Sequence, residues 1–211
     1  MYKKYFKRTI DFFASLIGLL LLFPVLVIVT LLLTIANKGK PFFFQSRPGL
    51  NEKLFNIIKF KTMTDAKNKN GNLLPDSERL TILGKFIRKT SIDELPQLIN
   101  ILKGDMSLIG PRPLLPDYLP LYSEYHCRRH ELKPGITGWA QVNGRQSIKL
   151  SKRRDLDIWY VDNVSLKMDI LIIFKTINYV TLGKGIRSGQ GMAVVDDLGF
   201  SKTLKEKGYE F

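Results

Sequence analysis

The sequence predicts a mainly helical α+β fold with an N-terminal membrane segment. Three observations lead to it: an uncharged apolar run of 25 residues from Phe12 to Ala36, two β-prone runs separated by a turn signal, and later stretches with apolar residues at helical spacing. The length of 211 residues fits one domain with one appendage. We expect a membrane anchor over residues 1–38, a globular domain over 39–185 and a variable tail over 186–211.

The charge balance indicates an anionic partner. A formal net charge of +14 suits nucleic acid, an anionic membrane surface or a phosphorylated substrate. The single cysteine, Cys127, excludes an intramolecular disulfide and fits a reducing compartment. With two histidines beside that one cysteine, we do not expect a zinc site.

The apolar run can meet a membrane in two ways. A straight helix of this length covers roughly 37 Å, enough to cross a hydrocarbon core of about 30 Å. Pro24 near its midpoint lacks the N–H that a helix interior needs, so it kinks or breaks the helix, and each half reaches only about the bilayer middle. Basic residues, which prefer the cytoplasmic side, flank both ends. A re-entrant hairpin satisfies both observations, and a kinked span is the alternative. The flanking basic residues are Lys3, Lys4, Lys7, Arg8, Lys38 and Lys40.

The globular part begins with extended structure. Residues 41–63 contain two β-prone runs around Pro48–Gly49, which predicts a hairpin. Polar residues 64–79 are typical of an exposed loop, and residues 78–90 of a short basic helix ending at Thr90. Further on, Asn143–Gly144 is a second hairpin signal.

Two helices are expected from apolar spacing. In residues 90–104, four apolar residues recur along one face, and Gly104 is suited to end the helix. Residues 165–182 repeat the pattern but carry too much charge to span a bilayer. This second helix either packs in the core or lies on the membrane surface.

The acidic pair Asp93–Glu94 at the start of the first of these helices has a structural and a chemical interpretation. Ser91 with Glu94 matches a capping box. Pro96, which has no N–H to give, favours a different register with Asp93 as the N-cap. In either register the carboxylates could simply stabilise the positive end of the helix.

The chemical interpretation comes from the arginines nearby. Arg88 precedes the pair, and Arg112 is stiffened by a proline on each side, which suits a clamp for phosphate oxygens. Arg145 follows the Asn143–Gly144 turn signal. A carboxylate among arginines stays ionised at neutral pH, so it could coordinate Mg²⁺ or attack phosphorus as a nucleophile.

The combination of motifs is more specific than its parts. The chain resembles the small bacterial monotopic phosphoglycosyl transferases, also called the bacterial sugar transferase family, and in particular the short forms that start glycoprotein glycans. One departure concerns Phe23, where many members have serine before the membrane proline. The matching residues are Lys7–Arg8 before Pro24, QSRPG at 45–49, KFKTM at 59–63, SIDELPQLINILKGDMSLIGPRP at 91–113 and KPGITGWAQVNGR at 133–145.

The resemblance implies a fold, a reaction and a site. Such enzymes carry a re-entrant membrane hairpin and a catalytic domain on the cytoplasmic face of the inner membrane. They move sugar 1-phosphate from a UDP-sugar to a polyprenyl phosphate with the help of Mg²⁺, releasing UMP. Asp93 would be the nucleophile, Glu94 would assist proton transfer or metal placement, and both would hold the metal. The implied phosphate-binding residues are Lys59, Lys61, Arg88, Arg112 and Arg145.

A different class of function also fits the charge. A membrane-anchored module that binds nucleic acid or acidic lipids would use the same basic surface, with aromatic residues such as Phe42–Phe44 as stacking platforms. The acidic pair among the arginines counts against it, because it would repel a nucleic-acid backbone. We therefore expect no nucleic-acid partner, and the sugar and the oligomeric state are left open.

Overall fold

Helices dominate the computed structural model, which describes residues 1–144, 148–181, 196–200 and 202. The helices are α1 (Lys7–Ala36), α2 (Asp76–Arg79), α3 (Ile82–Lys89), α4 (Gln97–Lys103), α5 (Glu124–Cys127), α6 (Trp139–Val142), α7 (Leu150–Asp162) and α8 (Leu166–Thr181). The strands are β1 (Phe42–Pro48), β2 (Leu54–Phe60), β3 (Ser107–Ile109) and β4 (Gly135–Thr137). The mainly helical α+β class is therefore confirmed.

The N-terminal apolar run forms one helix, α1, with Pro24 inside it. The predicted division into two helices at Pro24 is not seen. Proline removes the bond to the carbonyl of Leu20, but the apolar residues on both sides continue the helix. Within the described residues, α1 is the one helix long and apolar enough to cross a membrane. Its course relative to a bilayer stays a prediction.

One face of α1 packs against the globular part from end to end. Near the N-terminal end, the Asp11 carboxylate accepts a hydrogen bond from the N–H of Leu108 at 3.0 Å. Just past the other end, the side chain of Asn37 donates to the carbonyl of Lys61 at 2.7 Å. Asp11 and Asn37 are roughly 39 Å apart along a straight helix. The opposite face exposes apolar side chains, among them Phe13, Leu20, Leu21, Phe23, Leu31 and Ile35.

The first pair of strands forms the predicted hairpin. β1 and β2 are antiparallel, with Phe42 opposite Phe60 and Pro48 opposite Leu54, and the chain reverses after Pro48. A second pair, β3 and β4, is parallel. The hairpin predicted at Asn143–Gly144 is wrong, because these residues end α6 instead. Asn143 and Gly144 do lie in a turn, but packing of Trp139 and Val142 into a core cluster with α7 and α8 makes the preceding segment a helix rather than a strand.

The short helices that carry the acidic region lie close to their predicted positions. The predicted basic helix over 78–90 is divided into α2 and α3, and α3 does end at Thr90. Gly104 ends α4 with a left-handed φ of 92°, as predicted. The predicted helix over 165–182 is present as α8.

Buried apolar residues form four clusters among the described residues, and α1 contributes to two of them. Val29 and Leu33 pack with Phe60 of β2 and Ile87 of α3. Leu22 packs against the cluster of β2 and α4. The helix is therefore part of the core that supports the acidic pair.

The C-terminal region contains one partly exposed apolar helix and one buried aromatic contact. α8 buries Ile172 and exposes an apolar face that includes Ile170, Phe174 and Ile177. Phe200 is buried against Tyr118. Most of the predicted variable tail lies outside the described residues.

Candidate active site

The acidic pair lies in a tight turn before α4. Ser91 has a left-handed φ of 57° and makes no capping bond, and Ile92–Glu94 form a single 3₁₀ turn. Pro96 is the N-cap of α4. Neither predicted N-cap begins α4, because Ser91 is the N-cap of the 3₁₀ turn, without the side-chain bond of a capping box, and Asp93 lies inside that turn. The expectation that Pro96 limits where the helix starts is confirmed, and its missing N–H leaves no helical bond unmade.

Glu94 is held by two cations. Its Oε1 accepts a hydrogen bond from Nζ of Lys59 at 2.8 Å and from Nη2 of Arg112 at 2.8 Å. Burial alone would raise the pKa of Glu94, but the charges of Arg112 and Lys59 outweigh it and lower that pKa to about 2. Glu94 is therefore a fixed anion throughout the physiological pH range.

Asp93 is in the opposite situation. Among the described residues, its carboxylate has no hydrogen-bond or ion-pair partner. Burial and the negative charge of Glu94 raise its pKa to about 6, although Lys59, Arg88 and Arg112 oppose the shift. At pH 7 such a group is about nine-tenths ionised. The pair therefore contains one engaged carboxylate and one available, more basic carboxylate.

Two further contacts orient the arginines. Nε of Arg88 donates to Oγ1 of Thr62 at 2.8 Å. The backbone carbonyl of Arg112 accepts a bond from Nη2 of Arg129 at 2.7 Å, and the same nitrogen pairs with Asp157 at 2.7 Å. Arg129 and Asp157 are almost fully buried, so the loop that carries Arg112 rests on a rigid base.

The structure separates the predicted phosphate-binding residues into three groups. Lys59 and Arg112 form ion pairs with Glu94, and the positive charge of Arg88 lowers the pKa of Asp93 against the opposing effect of burial. Lys61, just past the end of β2, pairs with Asp65. Arg145 lies outside the described residues.

Sequence reasoning missed Thr62, Arg129 and Asp157. The KFKTM motif is the only sequence signal for Thr62, and no local pattern marks a bond between residues 28 positions apart.

Comparison with known proteins assigns the chain to a family. The family described as bacterial sugar transferase matches residues 2–183. The chain belongs to the bacterial sugar transferase family. The predicted resemblance and the prediction of a phosphoglycosyl transferase enzyme are confirmed.

Three relatives of this sugar transferase differ in length. It is 54% identical to the uncharacterized sugar transferase EpsL of Bacillus subtilis, over 86% of this chain and 90% of that protein. It is 41% identical to the undecaprenyl-phosphate glucose phosphotransferase of Komagataeibacter xylinus, over 81% of this chain but 35% of that protein. It is 38% identical to the UDP-N-acetylgalactosamine-undecaprenyl-phosphate N-acetylgalactosaminephosphotransferase of Aeromonas hydrophila, over 87% of this chain but 45% of that protein. The chain thus spans less than half of the latter two proteins.

The residues of this sugar transferase fit the Mg²⁺ that the family implies. Within the described ranges there is no group of three or more His, Cys, Asp and Glu side chains that could hold a metal alone. Mg²⁺ is often bound through one or two carboxylates plus substrate phosphates, and it keeps several waters. Lys59 and Arg112 both donate to Oε1 of Glu94. The Asp93 carboxylate and Oε2 of Glu94 could therefore supply two such ligands.

Proposed function

We propose that the chain transfers a sugar 1-phosphate from a UDP-sugar to a polyprenyl phosphate such as undecaprenyl phosphate. The names of two relatives include undecaprenyl phosphate as the acceptor, and one also includes a UDP-sugar. The products would be a polyprenyl-diphosphate-sugar and UMP. Other relatives are named as exopolysaccharide production proteins, which is consistent with a first membrane step in glycoconjugate assembly.

The asymmetry of the acidic pair carries the proposal. A nucleophile must be ionised, accessible and not consumed by other contacts. Asp93 meets these needs, because it is only partly buried, has no partner among the described residues and, with a pKa of about 6, is mostly ionised at pH 7. Glu94 does not, because Lys59 and Arg112 occupy it.

The first step forms a covalent phospho-sugar on Asp93. A carboxylate oxygen of Asp93 bonds to the phosphorus that carries the sugar. The bond from that phosphorus to the bridging oxygen breaks, and the oxygen leaves with UMP. Because phosphoryl transfer depends mostly on positioning and charge neutralisation, Arg88, Arg112 and Lys59 would take up the charge on the phosphate oxygens.

The second step returns the enzyme to its starting state. A phosphate oxygen of the polyprenyl acceptor bonds to the same phosphorus, and the bond to Asp93 breaks. The carboxylate is regenerated, and the lipid leaves with a diphosphate linked to the sugar. Mg²⁺, when bound, would supply further neutralisation of the diphosphate charge.

Glu94 would act by position rather than by proton transfer. A group with a pKa of about 2 holds almost no proton at neutral pH, so it is a poor general acid. Its contacts instead align Lys59 and Arg112 beside Asp93. Of the two roles expected for Glu94, metal placement is therefore favoured over proton transfer, and organisation of the cations is a third role that its contacts support.

The contacts of α1 support a monotopic membrane protein; a re-entrant course would in addition need a bend at Pro24, which lies inside the continuous helix. A helix that crosses a bilayer separates its ends to opposite sides, whereas both ends of α1 contact the same globular part. The exposed apolar face of α8 is consistent with a helix that lies on the membrane surface. Basic residues at both ends of α1 favour the cytoplasmic face of the inner membrane for the globular part.

Cysteine labelling tests this topology. The variants Lys3→Cys and Lys40→Cys are made in a Cys127→Ser background. Each is treated with a membrane-impermeant maleimide in intact cells and in permeabilised cells. We expect both positions to react only after permeabilisation. Reaction of one position from outside would show that α1 spans the bilayer.

UMP release and intact mass test the reaction. The purified protein is incubated with undecaprenyl phosphate and each member of a panel of UDP-sugars, and at least one should yield UMP. The Asp93→Asn variant should release none, whereas the control Asp162→Asn, at an exposed ion pair on α7, should keep its activity. With the active UDP-sugar and no acceptor, quenched protein should gain the mass of one phospho-sugar. Full activity in Asp93→Asn would exclude Asp93 as the nucleophile.

A further inference from the structure

Helix α3 lies directly on the chain that leaves β2, and the contact point is Thr62. A Cβ added to Gly84 would be 2.0 Å from the carbonyl oxygen of Thr62, so only glycine permits this approach. Oγ1 of Thr81 accepts a bond from the N–H of Gly84 at 2.9 Å and donates to the same Thr62 carbonyl at 3.4 Å. The first turn of α3 is thereby fixed against Thr62.

The side chain of Thr62 contacts the last turn of the same helix. Arg88 is four residues after Gly84, so both lie on one face of α3. Nε of Arg88 donates to Oγ1 of Thr62 at 2.8 Å. Thr62 is 5% exposed, so this hydroxyl is held in a fixed, nearly dry position. One residue therefore sets the position of the helix and the direction of its arginine.

The rest of the guanidinium indicates which part is available to a ligand. Nη2 of Arg88 lies 3.1 Å from the sulfur of Met63. Nη1 has no partner among the described residues, and the charge of Arg88 acts on Asp93. With Nε and Nη2 occupied, the guanidinium plane is fixed and Nη1 is left for substrate.

We propose that Thr62 is a positioning residue for the transfer reaction, acting through Arg88. Its hydroxyl holds the guanidinium so that Nη1 meets a phosphate oxygen of the nucleotide-sugar beside Asp93. This role rests on the proposed function, since it supposes that a phosphate is the ligand of Arg88.

A matched pair of substitutions tests the role of the hydroxyl. Thr62→Val keeps the branched shape and removes the hydroxyl, whereas Thr62→Ser keeps the hydroxyl. A hydrogen bond to a charged group contributes enough that Thr62→Val should lower kcat/KM for the most active UDP-sugar by about tenfold or more. Thr62→Ser should recover at least half of the parent value.

Combination with Arg88→Ala separates positioning from a general packing effect. If Thr62 acts through Arg88, Thr62→Val should have no further effect on kcat/KM in the Arg88→Ala background. An undiminished effect there would overturn the proposal, as would equal activity of Thr62→Val and the parent. Recovery by serine together with the lost effect in Arg88→Ala would support it.

A urea-unfolding cycle tests the same contact without measuring turnover. It compares the parent, Thr62→Val, Arg88→Ala and the double variant. We expect Thr62→Val to lower the free energy of unfolding in the parent and to have a smaller effect in the Arg88→Ala background. Equal effects in both backgrounds would overturn the contact. A parent protein that releases no UMP from any UDP-sugar would contradict the proposed function instead, and the unfolding cycle would still decide whether Thr62 holds Arg88.

Discussion

The different pKa values of the two carboxylates predict how the first step depends on pH. As the proposed nucleophile, Asp93, with a pKa of about 6, must be ionised to attack phosphorus. Its ionised fraction falls from about nine-tenths at pH 7 to about one-tenth at pH 5. The rate of adduct formation should therefore fall about tenfold between these pH values. Glu94, with a pKa of about 2, stays ionised over the whole range and contributes nothing to the change.

A single-turnover assay measures this rate directly. The protein is mixed with excess UDP-sugar without the polyprenyl acceptor, quenched at intervals, and the adduct is quantified by intact mass from pH 5 to pH 8. The rate should rise with pH and level off above about pH 7, since the pKa of Asp93 is about 6. A rate that is flat over this range would refute the argument that burial and Glu94 raise the pKa of Asp93, the proposed nucleophile.

The Glu94→Gln variant sharpens the same test. Removing the negative charge beside Asp93 takes away one of the causes that raise its pKa, while Lys59, Arg88 and Arg112 still lower it. The midpoint of the pH profile should therefore move below that of the parent. The maximal rate should fall as well, because Lys59 and Arg112 lose their charged partner. A midpoint unchanged in Glu94→Gln would show that Glu94 has no electrostatic influence on the nucleophile.

Two predictions concern stability. Gly84→Ala would place a methyl group 2.0 Å from the carbonyl of Thr62, so the free energy of unfolding should fall. Overpacking of this kind costs about 1–3 kcal/mol. Asp157→Asn leaves the buried charge of Arg129 without its ion pair and should cost about 3 kcal/mol. Both are measured by urea unfolding, with the exposed Asp162→Asn as the control; losses no larger than that of the control would contradict the two arguments.

Local sequence patterns predicted those features that depend on a few adjacent residues. The reversal after Pro48 and the end of α4 at Gly104 follow from the backbone preferences of proline and glycine, and the structure has both. The Asn143–Gly144 signal marks a turn that the structure has, but the predicted hairpin is wrong, because Trp139, a few residues earlier, packs against the core in a helix.

Local patterns could not predict that Glu94 is ion-paired while Asp93 has no partner among the described residues. This difference depends on Lys59, which is 35 positions from Glu94, and on Arg112, which is 18 positions away. The same limit applies to the two lysines. Lys59 is in β2 and reaches Glu94, whereas Lys61 follows the last strand residue and pairs with Asp65, so strand alternation no longer governs its direction.

The packing of α1 along the globular part links membrane insertion to formation of the active site. Arg8 of α1 donates from Nη2 to the carbonyl of Leu102 at 2.8 Å, at the end of the helix that follows the acidic pair. Leu33 and Val29 complete the apolar cluster that supports α3 and therefore Arg88. Because a ligand that binds only the folded state shifts folding toward that state, a bilayer that accommodates the exposed face of α1 also stabilises the arrangement of Asp93 and its cations. Lipid would then assist folding, and a truncated enzyme that lacks α1 would lose the framework of its candidate catalytic residues.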